Sequence, residues 1–124
     1  MVTFFRPFSG FSVDDVPQAL AFYRDVLGLD AREGDMGIGE IHLGDEHVVI
    51  AYPKGEEHEP ASFTVLNLPV DDVGAAVAEL TARGVAFLHY EGAPQDEHGE
   101  MRGHGPDIAW FTDPSGNVFS VIAR

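Results

Sequence analysis

The chain contains no cysteine. That excludes disulfides, thiolate metal sites and a cysteine nucleophile, and it fits a reducing, cytoplasmic setting. Lysine is nearly missing as well, Lys54 being the only one. A lysine-based phosphate cradle or Schiff base is therefore not expected elsewhere. Positive charge is scarce overall: seven bases stand against twenty-one acids, for a formal net charge of −14. A field of that sign repels nucleic acid and anionic lipid, so neither is an expected partner, and it attracts a cationic ligand. No apolar run approaches the roughly 18–20 residues that a membrane span needs. No amino-terminal stretch has the layout of a signal peptide.

What is present is 124 residues, 44% of them hydrophobic. That suits a single domain over residues 1–124 or two small modules sharing one core. A repeat favours modules. Val13-Asp14-Asp15-Val16 recurs as Val70-Asp71-Asp72-Val73. Both copies follow an apolar stretch and open a helical pattern. In the first, Val16, Leu20, Tyr23 and Leu27 keep helical spacing up to Gly28; in the second, Val73, Val77 and Leu80 do so up to Gly84. The aspartates suit a helix start, where a carboxylate caps free N–H groups and meets the positive dipole end. Strands are expected at 4–11 and 62–68 before the helices, with shorter ones near 30–34 and 85–90. Hairpins are expected at 38–43 with 47–52 and at 107–112 with 117–122. The first βαβββ module spans about 1–54, a linker about 55–60, and the second module about 61–124. The segment 91–106, rich in glycine, charge and histidine, breaks the symmetry and is expected to form a lid.

Two stretches carry a family resemblance. The run from Asp15 through Ala19-Leu20-Ala21-Phe22-Tyr23-Arg24-Asp25-Val26-Leu27-Gly28 resembles the first-helix signature of the vicinal oxygen chelate superfamily. Trp110-Phe111-Thr112-Asp113-Pro114-Ser115-Gly116-Asn117 resembles its last-hairpin signature. That superfamily includes glyoxalase I, extradiol dioxygenases and bleomycin-resistance proteins. The resemblance implies an α+β fold, in which two tandem βαβββ modules form cupped mixed sheets around a cavity. Members with metal chemistry carry ligands on the first and last strand of each module. The repeat places those positions at Phe8, Ile50, Val65 and Ser120. None of the four offers a useful ligand to a divalent metal, so no metal or other cofactor is expected.

Alternation along the strands then defines the cavity face. Phe8, Ile50, Phe63 and Val65 should form an apolar floor with Val118 and Ile122. Glu40, His42, Tyr52, Asn67 and Ser120 should punctuate it, and Trp110 should form a wall. Arg6 shares the parity but lies near the strand start, at the rim. Glu40 and His42 take this face because Ile41 and Leu43 should join Val49 and Ala51 under the helix, with Glu40 opposite Ile50. Met101 and Arg102 are the loop's candidates for touching a ligand. His58 falls in the linker and is given no chemistry.

Two functions fit these expectations. One is a binding protein of the bleomycin-resistance type, holding a small, cationic and aromatic molecule in a homodimer. The other is a lyase or isomerase acting by proton transfer through His42 and Glu40, or through a metal held off the usual site.

Overall fold

The computed structural model describes residues 1–124. It divides into two compact units, Met1–Glu59 and Pro60–Arg124.

In the first unit the strands are β1 (Ser9–Val13), β2 (Asp30–Glu33), β3 (Gly39–His42) and β4 (Val48–Pro53), in sheet order β1-β4-β3-β2. β1 runs parallel to β4, and the other pairs are antiparallel. Helix α1 (Val16–Ala21) starts at Asp15, whose carboxylate accepts from the Gln18 N–H at 2.9 Å. The helix then widens into a π-helical turn over Phe22–Val26 before Gly28, at φ +72°, releases the chain. The turn keeps Tyr23 fully buried, edge-on to Phe11. Val16, Ala19 and Leu20 pack with Phe11, Val13, Ile41, Val49 and Ala51 as the buried core. A Cβ on Gly39 would lie only 3.0 Å from Leu20 Cδ2, so glycine lets α1 seat close to β3.

The second unit repeats this plan with β5 (Thr64–Val70), α2 (Val73–Ala82), β6 (Ile108–Thr112) and β7 (Val118–Ala123). β5 runs parallel to β7, and β7 pairs antiparallel with β6. Asp72 caps α2 by accepting from the Ala75 N–H at 3.0 Å, and Gly84, at φ +94°, follows the helix. Val73, Val77 and Leu80 are buried with Ala109, Phe111, Phe119 and Val121. The β6–β7 turn is fastened from within. The Asp113 carboxylate accepts from the N–H groups of Ser115 and Asn117, and the Asn117 amide oxygen accepts from the Ala61 N–H at 3.0 Å.

Four expectations are corrected. The first strand begins at Ser9 rather than at residue 4, because Pro7 lacks an N–H and Arg6 turns the chain at φ +37°. Residues 85–90 form no strand; only Phe87 bridges Phe111, and the second sheet has three strands. Leu43 lies past the end of β3 and is exposed instead of joining Ile41. Residues 91–106 are no free lid. The Gln95 side chain bonds the Tyr90 N–H and the carbonyls of Leu88 and Gly99, and Met101 pairs with both Gln95 and Ile108.

Candidate functional site

Each helix covers one face of its sheet and leaves the other to side chains of opposite parity. In the first unit that open face carries two cross-strand rows. Gly10 stands opposite Ile50, Ile50 opposite Glu40, and Glu40 opposite Arg32. In the next row Val48 faces His42, and His42 faces Asp30. Glu40 therefore sits opposite Ile50, the register that alternation required.

His42 donates from Nε2 to Glu40 Oε1 at 2.9 Å, and both side chains are about a quarter to a third exposed, at 26% and 35%. Arg32 grips Asp30 through Nε at 2.9 Å and Nη2 at 2.7 Å. Asp30, Arg32 and Glu40 alternate in charge across β2 and β3, and His42 completes the group through its bond to Glu40. The hydrogen bond from Arg32 holds the Asp30 carboxyl below its ordinary value, and the Asp30 carboxylate in turn raises Arg32. The sequence reading found the Glu40–His42 pair and missed Asp30 and Arg32. The signal was available: Ala31 is the one apolar residue of Asp30-Ala31-Arg32-Glu33, so alternation sends Asp30 and Arg32 to the face opposite to it.

Beside this network lies a cavity of about 450 Å³, lined by Arg6, Phe8, Glu40, Asp45, Val48 and Ile50 among others. Its floor is apolar and most of its rim is acidic. Phe8 lines it from outside any strand and is 68% exposed, not packed into a floor as expected. Tyr52 stands on the same face one row on, opposite Ser12. Ser12 Oγ is joined to His58 Nδ1 by a 2.8 Å hydrogen bond. His58 thus fastens the end of this unit to β1, a role that its place in a glycine- and glutamate-rich segment gave no means of foreseeing.

The second unit's open face is built differently. Asn67 stands opposite Ser120, and Ser120 opposite Trp110. The fully buried Ser120 hydroxyl donates to Asn67 Oδ1 at 2.6 Å. Trp110 packs edge-on against Tyr90, with ring centroids 5.4 Å apart. Val65 is the extra residue of a β-bulge between Thr64 and Leu66, so simple alternation through it fails. Phe63 precedes β5 and is 69% exposed. The pairing of Met101 with Ile108 puts Met101 on the Trp110 side. By the same alternation Arg102 points away from it. Its guanidinium holds the buried Glu100 carboxylate through two 2.9 Å bonds beside Gly74 and Val77 of α2, so Arg102 is no ligand contact on the open face.

No group of three or more histidine and carboxylate side chains is arranged to hold a metal ion. At Phe8, Ile50, Val65 and Ser120, the positions that the repeat and the resemblance imply for ligands, there is no imidazole or carboxylate. The residues present therefore do not fit a divalent cation there.

These features define a class: a repeated-module α+β protein whose helix-free sheet face carries a small, largely apolar pocket. The chain belongs to the Glyoxalase/Bleomycin resistance protein/Dioxygenase superfamily, whose family model matches residues 8–121. Among solved structures it is similar to TnmS3, an antibiotic binding protein from Streptomyces sp. CB03234. The identity is 26%, with 98% of each chain covered and a TM-score of 0.65. A superfamily member from Sphaerobacter thermophilus is 22% identical over 95% of this chain and 97% of that one, with a TM-score of 0.69. A lactoylglutathione lyase from Agrobacterium tumefaciens is 21% identical over 93% and 90%, with a TM-score of 0.67. The last two likenesses show the fold alone. No curated protein matches the chain. No helix is long and apolar enough to cross a membrane.

Proposed function

We propose that the chain captures a small molecule with a flat apolar body and a positive charge, on the open face of its first unit, without a divalent metal. The observation that carries this reading is the cavity of about 450 Å³, with Val48 and Ile50 of β4 beneath, Phe8 lining it from outside the sheet, and Glu40, Asp45 and Glu46 around it. Apolar walls with a few placed polar groups are what small-ligand recognition requires, and the acids select for positive charge. The antibiotic-binding relative supports the same reading. Two chains pairing as a homodimer in the cytoplasm belong to this proposal, and sedimentation velocity tests the pairing.

The test is fluorescence titration with the cationic dye proflavine, run beside its uncharged counterpart acridone. Saturable binding of proflavine is expected, with thermal stabilisation of the protein. Ile50→Ala is expected to weaken it about tenfold, since it removes apolar floor. A flat titration with both dyes would overturn the proposal.

A second reading rests on the 2.9 Å bond between His42 and Glu40. On it, His42 takes a proton from carbon next to a ligand carbonyl while Glu40 orients the ring. Deuterium exchange into a bound carbonyl compound, lost in His42→Gln, is its expected signature. Unchanged exchange in that variant would sink it.

A further inference from the structure

We propose that Arg6 is a tethered competitor for the cation subsite of this pocket, held on Glu46 until a cationic ligand displaces it. The proposal rests on the ligand class read above.

Four observations carry it. Arg6 lines the cavity and its guanidinium lies 3.6 Å from a Glu46 carboxylate oxygen. It is the only charged side chain among the first thirteen residues of a chain with net charge −14. Its segment is free of regular structure, with β1 starting only at Ser9, and Phe4 and Phe5 are exposed on its near side. Both partners sit in left-handed backbone, Arg6 at φ +37° and Glu46 at φ +63°, with Asp45 between Gly44 and Glu46 at φ +47°. At Asp45 and Glu46 this is the geometry of the β3–β4 hairpin turn, closed by the His47 N–H on the Gly44 carbonyl, which holds Glu46 at the turn, whereas at Arg6 it is a bend outside regular structure.

Arg6 and Glu46 are 84% and 75% exposed, so their attraction is weak and screened. A contact of that kind does not lock the segment. It does keep a guanidinium beside the acids that would otherwise meet a ligand's charge. A ligand carrying its own cation must displace Arg6, whereas a neutral ligand gains nothing by doing so. The pocket is thereby set to favour an amidinium- or ammonium-bearing ring system that also covers the apolar floor, because charge alone only exchanges one cation for another.

The test is a double-mutant cycle read by proflavine titration at low salt, with acridone as the control. Arg6→Ala is expected to tighten proflavine about threefold and to shift acridone by clearly less than that. Arg6→Lys, which keeps the charge, is expected to restore wild-type affinity. Glu46→Gln is expected to weaken proflavine, and in that background Arg6→Ala should have no further effect. Because Arg6 is exposed and outside every strand and helix, its variants are expected to retain the fold, which circular dichroism checks. Proflavine binding that is equal in wild type and Arg6→Ala would overturn the competitor while leaving the pocket standing. Absence of proflavine binding in every variant would overturn the pocket and the competitor together.

Discussion

The two units share a frame and differ on one face. Under the helices they match: Ile41 and Val49 stand where the other unit has Phe111 and Phe119, all of them buried. On the open face the equivalent positions diverge in chemistry. Glu40 corresponds to Trp110, His42 to Thr112, Gly10 to Asn67, and Ile50 to Ser120. The last two pairs show how the divergence is allowed. In one unit a large Ile50 lies over a glycine, and a Cβ on Gly10 would fall 2.6 Å from Ile50 Cγ1. In the other a small Ser120 makes room for Asn67 and bonds it. The same cross-strand site is filled by opposite size choices, so a repeat preserves its backbone while each copy acquires its own surface.

That comparison is open to breaking, first at the shared face. Ile41→Ala is expected to cost about 3 kcal/mol and Phe111→Ala about 4 kcal/mol, read by urea unfolding. A loss below about 1 kcal/mol in either would mean that its unit is not held by the buried layer. Next is the size exchange. Gly10→Asn is expected to destabilise by about 2 kcal/mol through overpacking against Ile50, and adding Ile50→Ser should recover most of it. Additive losses in the double variant would show that the two sites are not interchangeable. The caps come third. Asp15→Ala and Asp72→Ala should each cost about 1 kcal/mol, and equal losses would confirm that the repeat starts its helices alike.

The smallest effect concerns Asp30. Its carboxyl titrates below its ordinary value in the folded protein, so its share of stability is present above the unfolded value of 3.8 and fades as pH falls through the lower folded one. Arg32→Gln should return that titration toward 3.8, seen by NMR of the side-chain carboxyl, with no measurable change in the unfolding midpoint. A midpoint shift would mean that the exposed network does more than surface pairs do.

The fold was legible because its signals are local and repeated. The Val-Asp-Asp-Val copies marked both helix starts, and Asp113 to Asn117 marked the last turn. The register of β3 on β4 followed from Ile41, Val49 and Ala51 needing the same side. The failures have equally local causes. Phe4 and Phe5 read as strand because apolar residues before a helix usually pair, but a backbone reversal at Arg6 is invisible in side-chain pattern. A bulge at Val65 adds one residue without changing composition, which defeats counting by twos. Arg102 was a candidate as a guanidinium on the long loop, but neighbours in an extended segment point apart, and its side chain holds Glu100 on the side away from Met101. The Ser12–His58 bond spans 46 residues and carries no pattern at all.

Gln95 fastens the excursion between α2 and β6 at three points, its one amide group reaching Tyr90, Leu88 and Gly99, while Met101 ties its far end to Ile108. In terms of hydrogen exchange, the Tyr90 N–H depends on the Gln95 side chain, and those of Asp96 and Gly99 on the Glu100 and Asp96 carbonyls of the same excursion, so all three are expected to open locally. Those of β6 and β7 wait for the sheet itself. The protein is thus expected to keep two clocks, the faster one belonging to the excursion and the slower one to the sheet.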